Sequence, residues 1–328
     1  MPELFRREPI STGELCLVHS ILGISASLRQ TAIDLYGDEG VAWFDRLPDV
    51  VAECARRWAL GGDAPFPNLT YNYAAPAVRA DGAAVVLKVC FPDGGFHNEA
   101  DALQVFAGRG AVQLLAVDRD FGVLLLERLV PGAPLTTISD NQQAMTIAAR
   151  VMRQLWRPEP EGYLFPPVAD WLTGMAERAA GYVQPAGPFP AEWLDRALAT
   201  FAELSASPVE SVLLHGDLHQ GNILSAEREP WLAIDPKCVV GEPACETEPL
   251  LRNALPHRLD TAAIRRVIAR RVDCLADELE IDRDRIRAWG VVRAILSAFW
   301  SLEDHGRGWE RALSLARVLA EPAGRGVR

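Results

Sequence analysis

The sequence predicts an α+β chain in two lobes, a small antiparallel-sheet N-lobe and a mostly helical C-lobe. Three observations carry that expectation. Runs rich in β-branched and aromatic residues cluster between residues 66 and 130, interrupted by one helical stretch. Helical periodicity then recurs in segment after segment from residue 138 to residue 320. The chain is also 328 residues long, more than one core of ordinary size organises, so two units are expected. The spacing places the hinge near 127–133, with residues 1–128 forming the N-lobe and 129–328 the C-lobe.

The elements follow in order. Residues 1–65 read as mostly helical; in LPDVVAECARRWAL (47–60) Val50, Val51, Cys54, Trp58 and Leu60 fall near one face. NLTYNYAAPAVRADGAAVVLKVC (68–90) holds two strand-like runs joined at Asp81-Gly82, a dipeptide suited to a tight hairpin turn. DGGFHNEADALQVFAGRG (93–110) reads as a helix closing at Gly108. AVQLLAVD (111–118) and GVLLLERLV (122–130) complete the strands, the second stopping at Pro131-Gly132. Helices are expected over 138–156, 168–182, 190–206, 244–253, 258–280, 284–304 and 308–320. Short strands are expected at 211–215, 222–225 and 231–235.

Composition narrows the classes of function. A hydrophobic fraction of 49% with 23% charged residues is that of a folded chain. The net charge of −11 argues against a nucleic-acid partner, which calls for a basic footprint, and suits attraction of a cationic small molecule. Cys16, Cys54, Cys90, Cys238, Cys245 and Cys274 are scattered without a CxxC pair, the pattern of reduced thiols. The start, MPELFRREPI, has no apolar signal core, and no apolar run reaches the ~18 residues of a membrane span. A cytoplasmic protein with no membrane partner is the expectation.

Lys88 opens the chemistry. In AAVVLKVC it lies inside an apolar strand, where a cation must either snorkel out at a sheet edge or meet an anion. Glu99 supplies the anion, because Glu99, Leu103 and Phe106 share the apolar face of the next helix. A first-turn acid complementing the helix dipole is the other use for Glu99.

LLHGDLHQGNIL (213–224) sets Asp217 and Asn222 five apart across a loop between apolar strands, and WLAID (231–235) ends a further strand on Asp235. Phosphoryl transfer needs these types. A carboxylate orients the attacking hydroxyl and takes its proton, which suits Asp217. Hard oxygen ligands hold Mg²⁺ against nucleotide phosphates, which suits Asn222 and Asp235. A cation meets the phosphates from the other side, which suits Lys88. A zinc reading competes: His215, Asp217 and His219 alternate and would share one side of a straight strand. Gly216 and the QGN segment point instead to a loop, and a zinc hydrolase leaves Lys88, Glu99 and Asp235 without roles.

HGDLHQGN resembles the catalytic loop of the protein-kinase-like superfamily, with Gly216 where protein kinases carry arginine. AID followed by Pro236 looks like the metal-binding segment, and VVLKV, the glutamate helix and LLLERLVPG look like the N-lobe lysine strand, its helix and the interlobe hinge. The chain is most similar to the aminoglycoside phosphotransferases, in the subgroup of streptomycin 6-phosphotransferase and hydroxyurea-phosphotransferase-like proteins. WFDRLPDVVAECARRWAL, YNYAAPAV and WLAIDPKCVVGEPACETEPLLRN have that subgroup's look and occur in its order. The resemblance implies a protein-kinase-like two-lobed fold and an ATP- and Mg²⁺-dependent kinase. Asp217 would then be catalytic, Asn222 and Asp235 the metal ligands, and Lys88 with Glu99 the nucleotide clamp. The adenine would rest on the backbone of Glu127 to Leu129.

The chain departs from protein kinases in three places. No G-x-G-x-x-G loop precedes Lys88, where TYNYAAPAV stands instead. Only 17 residues separate Asp217 from Asp235, and no Ala-Pro-Glu segment follows. A small hydroxyl-bearing acceptor is therefore expected rather than a protein, and Glu242, Glu246 and Glu248 are candidates to hold a cationic one. A kinase-like protein that binds nucleotide without transfer is the other class the motifs allow.

Overall fold

The computed structural model describes residues 26–62, 64–67, 69–182, 188–254 and 261–321. The helical expectation for residues 1–25, and Cys16 with it, lies outside the described residues. The chain divides into two compact units. One reaches to Ala100 and adds Leu114–Arg128; the other comprises Asp101–Gln113 and the chain from Leu129 onward.

The first unit is built on a five-stranded antiparallel sheet. Its strands are β1 (Leu60–Gly62), β2 (Tyr73–Arg79), β3 (Ala84–Val89), β4 (Leu114–Asp118) and β5 (Val123–Glu127), in the order β1-β2-β3-β5-β4. The β2–β3 hairpin pairs Val78 with Ala84 and turns through Asp81-Gly82, where Gly82 takes φ 85°. A long helix, α1 (Ala26–Arg57), bends at Gly37, which sits at φ 56°. Its Leu28, Trp43, Phe44, Leu47 and Cys54 pack with Tyr73, Ala75, Leu87, Val89 and Val123 of the sheet into one core. The Trp43 indole donates to the Cys90 carbonyl at 3.1 Å, tying the helix to the end of β3.

The helix expected to run to residue 60 stops at Arg57. Ala59 turns to φ 50° and Gly61-Gly62, poor helix formers, pair along β2 instead. Helix α2 (Gly94–Phe106) follows β3.

In the second unit the helices are α3 (Asn141–Leu155), α4 (Val168–Arg178), α5 (Ala191–Ala206), α6 (Glu248–Arg252), α7 (Thr261–Leu279), α8 (Arg283–His305) and α9 (Trp309–Ala320). Asp140 and Asp282 cap α3 and α8 by accepting from backbone N–H groups of the first turn. Helix α8 is buried from Val291 to Phe299 apart from small polar contacts, so it forms the spine against which α4, α5, α6, α7 and α9 pack.

Two small sheets complete this unit. β6 (Pro131–Pro134), β8 (Ile223–Ala226) and β9 (Trp231–Ala233) form one, and β7 (Val212–Leu214) pairs with β10 (Val239–Gly241) in the other. β6 and β10 are absent from the sequence reading: each is only a few residues long and contains Gly or Pro, which mask strand periodicity. The helix expected over 244–253 divides into a 3₁₀ turn, Pro243–Thr247, and the short α6, with Pro at the start of each. Among the described residues no helix is long and apolar enough to cross a membrane.

Candidate active site

Lys88 lies on β3, which has β2 on one side and β5 on the other, so the strand offers no edge for snorkelling. Its side chain is buried and its Nζ stands 2.6 Å from Oε1 of Glu99, itself buried on α2. The snorkelling alternative is thus set aside by strand order. An ion pair this buried is costly to break, because either partner alone is an uncompensated charge. Glu127 is the last residue of β5, paired with Val85 across the sheet. Leu129, half-buried, begins the longer segment of the second unit.

The second unit holds Asp217, Asn222 and Asp235. β7 delivers the chain to His215, and Gly216 turns it at φ 86°. A side chain at Gly216 would meet the Cη2 atom of Trp171 and the Cβ of Lys237, each at 3.2 Å, so glycine answers both the turn and the close approach. Asp217 then stands half-buried at the head of the loop. Asn222 donates through Nδ2 to the Asp217 carbonyl at 3.1 Å, and the His219 N–H donates to the same oxygen at 3.0 Å. On the other side the Ile234 N–H donates to the Asn222 carbonyl at 2.9 Å. The loop and the end of β9 are laced together by those bonds, which make the backbone at Asp217, Asn222 and Ile234, the residue before Asp235, neighbours. Asp235 sits at φ 59°, a left-handed conformation that aspartate tolerates better than most residues.

Three buried side chains brace this loop; the sequence offered His215 for that work, and neither Glu246 nor Arg293. Glu246, fully buried, accepts the N–H of His215 at 2.5 Å and that of Gly216 at 2.9 Å. Burial pushes its carboxyl up to about 7, opposed by the two N–H donors and by Arg293. Arg293 on α8 donates from Nη2 to the Gly216 carbonyl at 2.7 Å. Its guanidinium packs 4.6 Å from the ring centre of Trp171 and 5.7 Å from that of Trp300, while Nε and Nη1 have no hydrogen-bond partner among the described residues. The aromatic faces compensate part of that buried charge. His215 donates from Nε2 to the Ile234 carbonyl at 2.8 Å in the tautomer that leaves Nδ1 to accept the Asp217 N–H at 3.3 Å. Burial holds this imidazole neutral, down to about 4.

A signal for Arg293 was present in the sequence. VVRAIL places a lone cation in an apolar helix run, the same pattern that singled out Lys88. Nothing local marks Glu246, whose partners are 31 and 30 residues away.

One competing reading is set aside and one expectation is corrected. The zinc reading fails because both ring nitrogens of His215 are engaged with backbone groups and its side chain is fully buried. His219 likewise accepts the Gly221 N–H at Nδ1. Among the described residues no group of three His, Cys, Asp or Glu side chains is placed to hold a metal ion. Nor do Glu242, Glu246 and Glu248 form an open acidic surface. Glu242 is paired with Arg285, Glu246 braces the loop, and Glu248, fully buried, accepts from Arg252 at 2.8 Å. In each case the charge is already met inside the fold.

An antiparallel sheet whose Lys88 pairs with Glu99 of the following helix, and a helical unit carrying the Asp217 loop, belong to the protein-kinase-like fold, and the chain's relatives are phosphotransferases. A thermostable mutant of the aminoglycoside phosphotransferase APH(4)-Ia, solved as a ternary complex with ADP and hygromycin B, matches with a TM-score of 0.55. The match covers 84% of this chain and 100% of that one at 13% identity, a likeness of fold. The chain belongs to the aminoglycoside/hydroxyurea antibiotic resistance kinase family, whose model matches residues 57–305. It is 35% identical over 296 residues to streptomycin 6-kinase of Streptomyces griseus, covering 87% of this chain and 93% of that protein. It is 36% identical over 313 residues to hydroxyurea phosphotransferase of Kitasatospora aureofaciens, covering 94% and 88% respectively.

Proposed function

We propose that this protein uses ATP and Mg²⁺ to phosphorylate a hydroxyl group of a small antibiotic of the streptomycin type. The observation that carries the reading is the lacing of Asp217, Asn222 and Asp235 through the Asn222 amide and the Ile234 N–H. Those bonds support the reading because they join the backbone at Asp217 and Asn222 to the residue before Asp235, and a carboxylate with two hard oxygen donors is the set that phosphoryl transfer requires.

In this reading Asp217 orients the acceptor hydroxyl and takes its proton as the oxygen attacks the terminal phosphorus. Asn222 and Asp235 fit a magnesium ion. The Asn222 amide N–H is spent on Asp217, leaving its carbonyl oxygen as the donor atom, and Asp235 adds a carboxylate. When bound, Mg²⁺ neutralises charge on the phosphate oxygens. Lys88, held by Glu99, contacts the nucleotide phosphates, and the backbone from Glu127 to Leu129 takes the adenine. The relatives' names and the net charge of −11 favour a cationic aminocyclitol as acceptor. The thiols of Cys54, Cys238, Cys245 and Cys274 are free, in keeping with a cytoplasmic location.

Incubation with γ-labelled ATP, Mg²⁺ and streptomycin or hydroxyurea tests the reading. Label should move to the acceptor; label found only in free phosphate overturns the assignment of an acceptor of this type.

A further inference from the structure

Lysine is almost absent from this protein. Of its 33 Lys and Arg residues only Lys88 and Lys237 are lysine. Everywhere else a positive charge is carried by arginine, including every described surface ion pair. The two lysines are therefore not interchangeable surface cations, and the first is the buried partner of Glu99. A compact ammonium on a flexible stem differs from the planar guanidinium in serving as a movable point charge, a form suited to phosphate oxygens.

Lys237 stands where such a charge has a use. It follows Asp235 by two residues, and its backbone N–H donates to the His215 carbonyl at 2.8 Å. The Cβ of Lys237 lies against the open face of Gly216, which precedes Asp217. Its side chain is exposed, and no hydrogen bond or ion pair engages it among the described residues. The loop from Asp217 to Asn222 supplies no cation of its own: it contains neither Lys nor Arg, and Nδ1 of His219 is occupied in accepting the Gly221 N–H. Arg293, which reaches the loop from α8, is buried and committed to the Gly216 carbonyl.

We propose that Lys237 is a further catalytic residue, whose ammonium contacts the oxygens of the phosphoryl group as it passes to the acceptor. The inference rests on the assignment of Asp217 and Asp235 above. Charge develops on those oxygens in the transition state, where a positioned donor is worth most. The rigid backbone bond to His215 fixes the base of the side chain, and the free stem lets the ammonium follow the moving phosphorus. Lys237→Met should then lower kcat by about 10²-fold, as loss of one transition-state donor does. The nucleotide KM and the thermal midpoint should stay near wild type. Unchanged kcat in this variant overturns the proposal.

A chemical test exploits the scarcity of lysine. An acyl phosphate of ATP transfers its acyl group to an amine lying against the phosphates. The amine nitrogen attacks the carbonyl carbon, the bond from that carbon to the phosphate oxygen breaks, ATP departs and the amine proton goes to solvent. Peptide mass spectrometry then reads Lys88 and Lys237 separately. Acylation of Lys237 that excess MgATP suppresses is the expected result. Labelling of Lys237 indifferent to MgATP, or protected labelling of Lys88 alone, overturns the role of Lys237 while nucleotide binding stands. No MgATP-protected labelling at either lysine overturns the nucleotide reading itself.

Discussion

Glu246 accepts the backbone N–H of Gly216 at 2.9 Å, one residue before Asp217. Its other carboxylate oxygen takes the N–H of His215 at 2.5 Å, so one buried side chain fixes two successive peptide planes ahead of Asp217. Glu246→Gln keeps the shape but presents an NH₂ group where a second acceptor is needed. One backbone N–H is left buried without a partner, at a cost of about 1–3 kcal/mol. The expected outcome is a lower urea midpoint and a reduced kcat, with the nucleotide KM unmoved. Equal losses in kcat and nucleotide affinity would place Glu246 outside the loop-bracing role.

The pH dependence of stability separates Glu246 from its neighbour His215. Burial pushes the His215 imidazole down to about 4 from a usual 6.5. Between those values the unfolded chain binds a proton that the fold refuses, so this contribution to stability grows as pH rises. Burial pushes Glu246 up to about 7 from a usual 4.5. Across that window the fold keeps a proton the unfolded chain has released, so this contribution shrinks as pH rises. Urea titrations over the same range read both. The stability gap between wild type and Glu246→Gln should narrow with rising pH, and that between wild type and His215→Gln should widen. A gap that stays flat for either variant contradicts the corresponding shift.

The buried pair between β3 and α2 makes a different prediction. Lys88→Met takes the ammonium away from the buried Glu99 carboxylate, costing about 3–5 kcal/mol. A second change, Glu99→Leu, should restore most of that stability without restoring transfer. Equilibrium unfolding and ATP-dependent turnover of the single and double variants measure the two effects. Recovery of turnover together with stability would reduce Lys88 to a structural role.

How much of this was legible in the sequence depends on the range of the interaction. Lys88 and Glu99 are 11 residues apart on adjacent elements, and an ion inside an apolar strand demands a partner. The Asp81-Gly82 hairpin and the long α8 helix carry local, periodic signals, and the structure reproduces them. Strand β10 and the breakup of 244–253 into two short turns escaped notice because tertiary packing decides such short elements. The three glutamates after Asp235 misled for the same reason. Sequence shows charge, and only the fold shows that Arg285, Arg252 and two peptide N–H groups already meet it.

The proposed magnesium ligands Asn222 and Asp235 make a further prediction. Asp235→Asn should remove several kcal/mol of transition-state stabilisation, about 10²-fold or more in kcat. Turnover in wild type should vanish with EDTA and return with Mg²⁺ or Mn²⁺. Full turnover in EDTA contradicts the assignment of Asn222 and Asp235.

The role of Asp217 is the centre of the account, and one measurement meets it directly. Wild type and Asp217→Asn are incubated with MgATP and a panel of streptomycin, hydroxyurea and neutral sugars, and each acceptor is weighed for the gain of one phosphate. The account predicts that wild type phosphorylates an acceptor of the panel. In Asp217→Asn, kcat should fall by about 10²–10⁴-fold, the range for a lost general base, while nucleotide affinity stays within a few-fold. A wild type that binds nucleotide but phosphorylates nothing in the panel, or an Asp217→Asn variant that turns over at the wild-type rate, would contradict it.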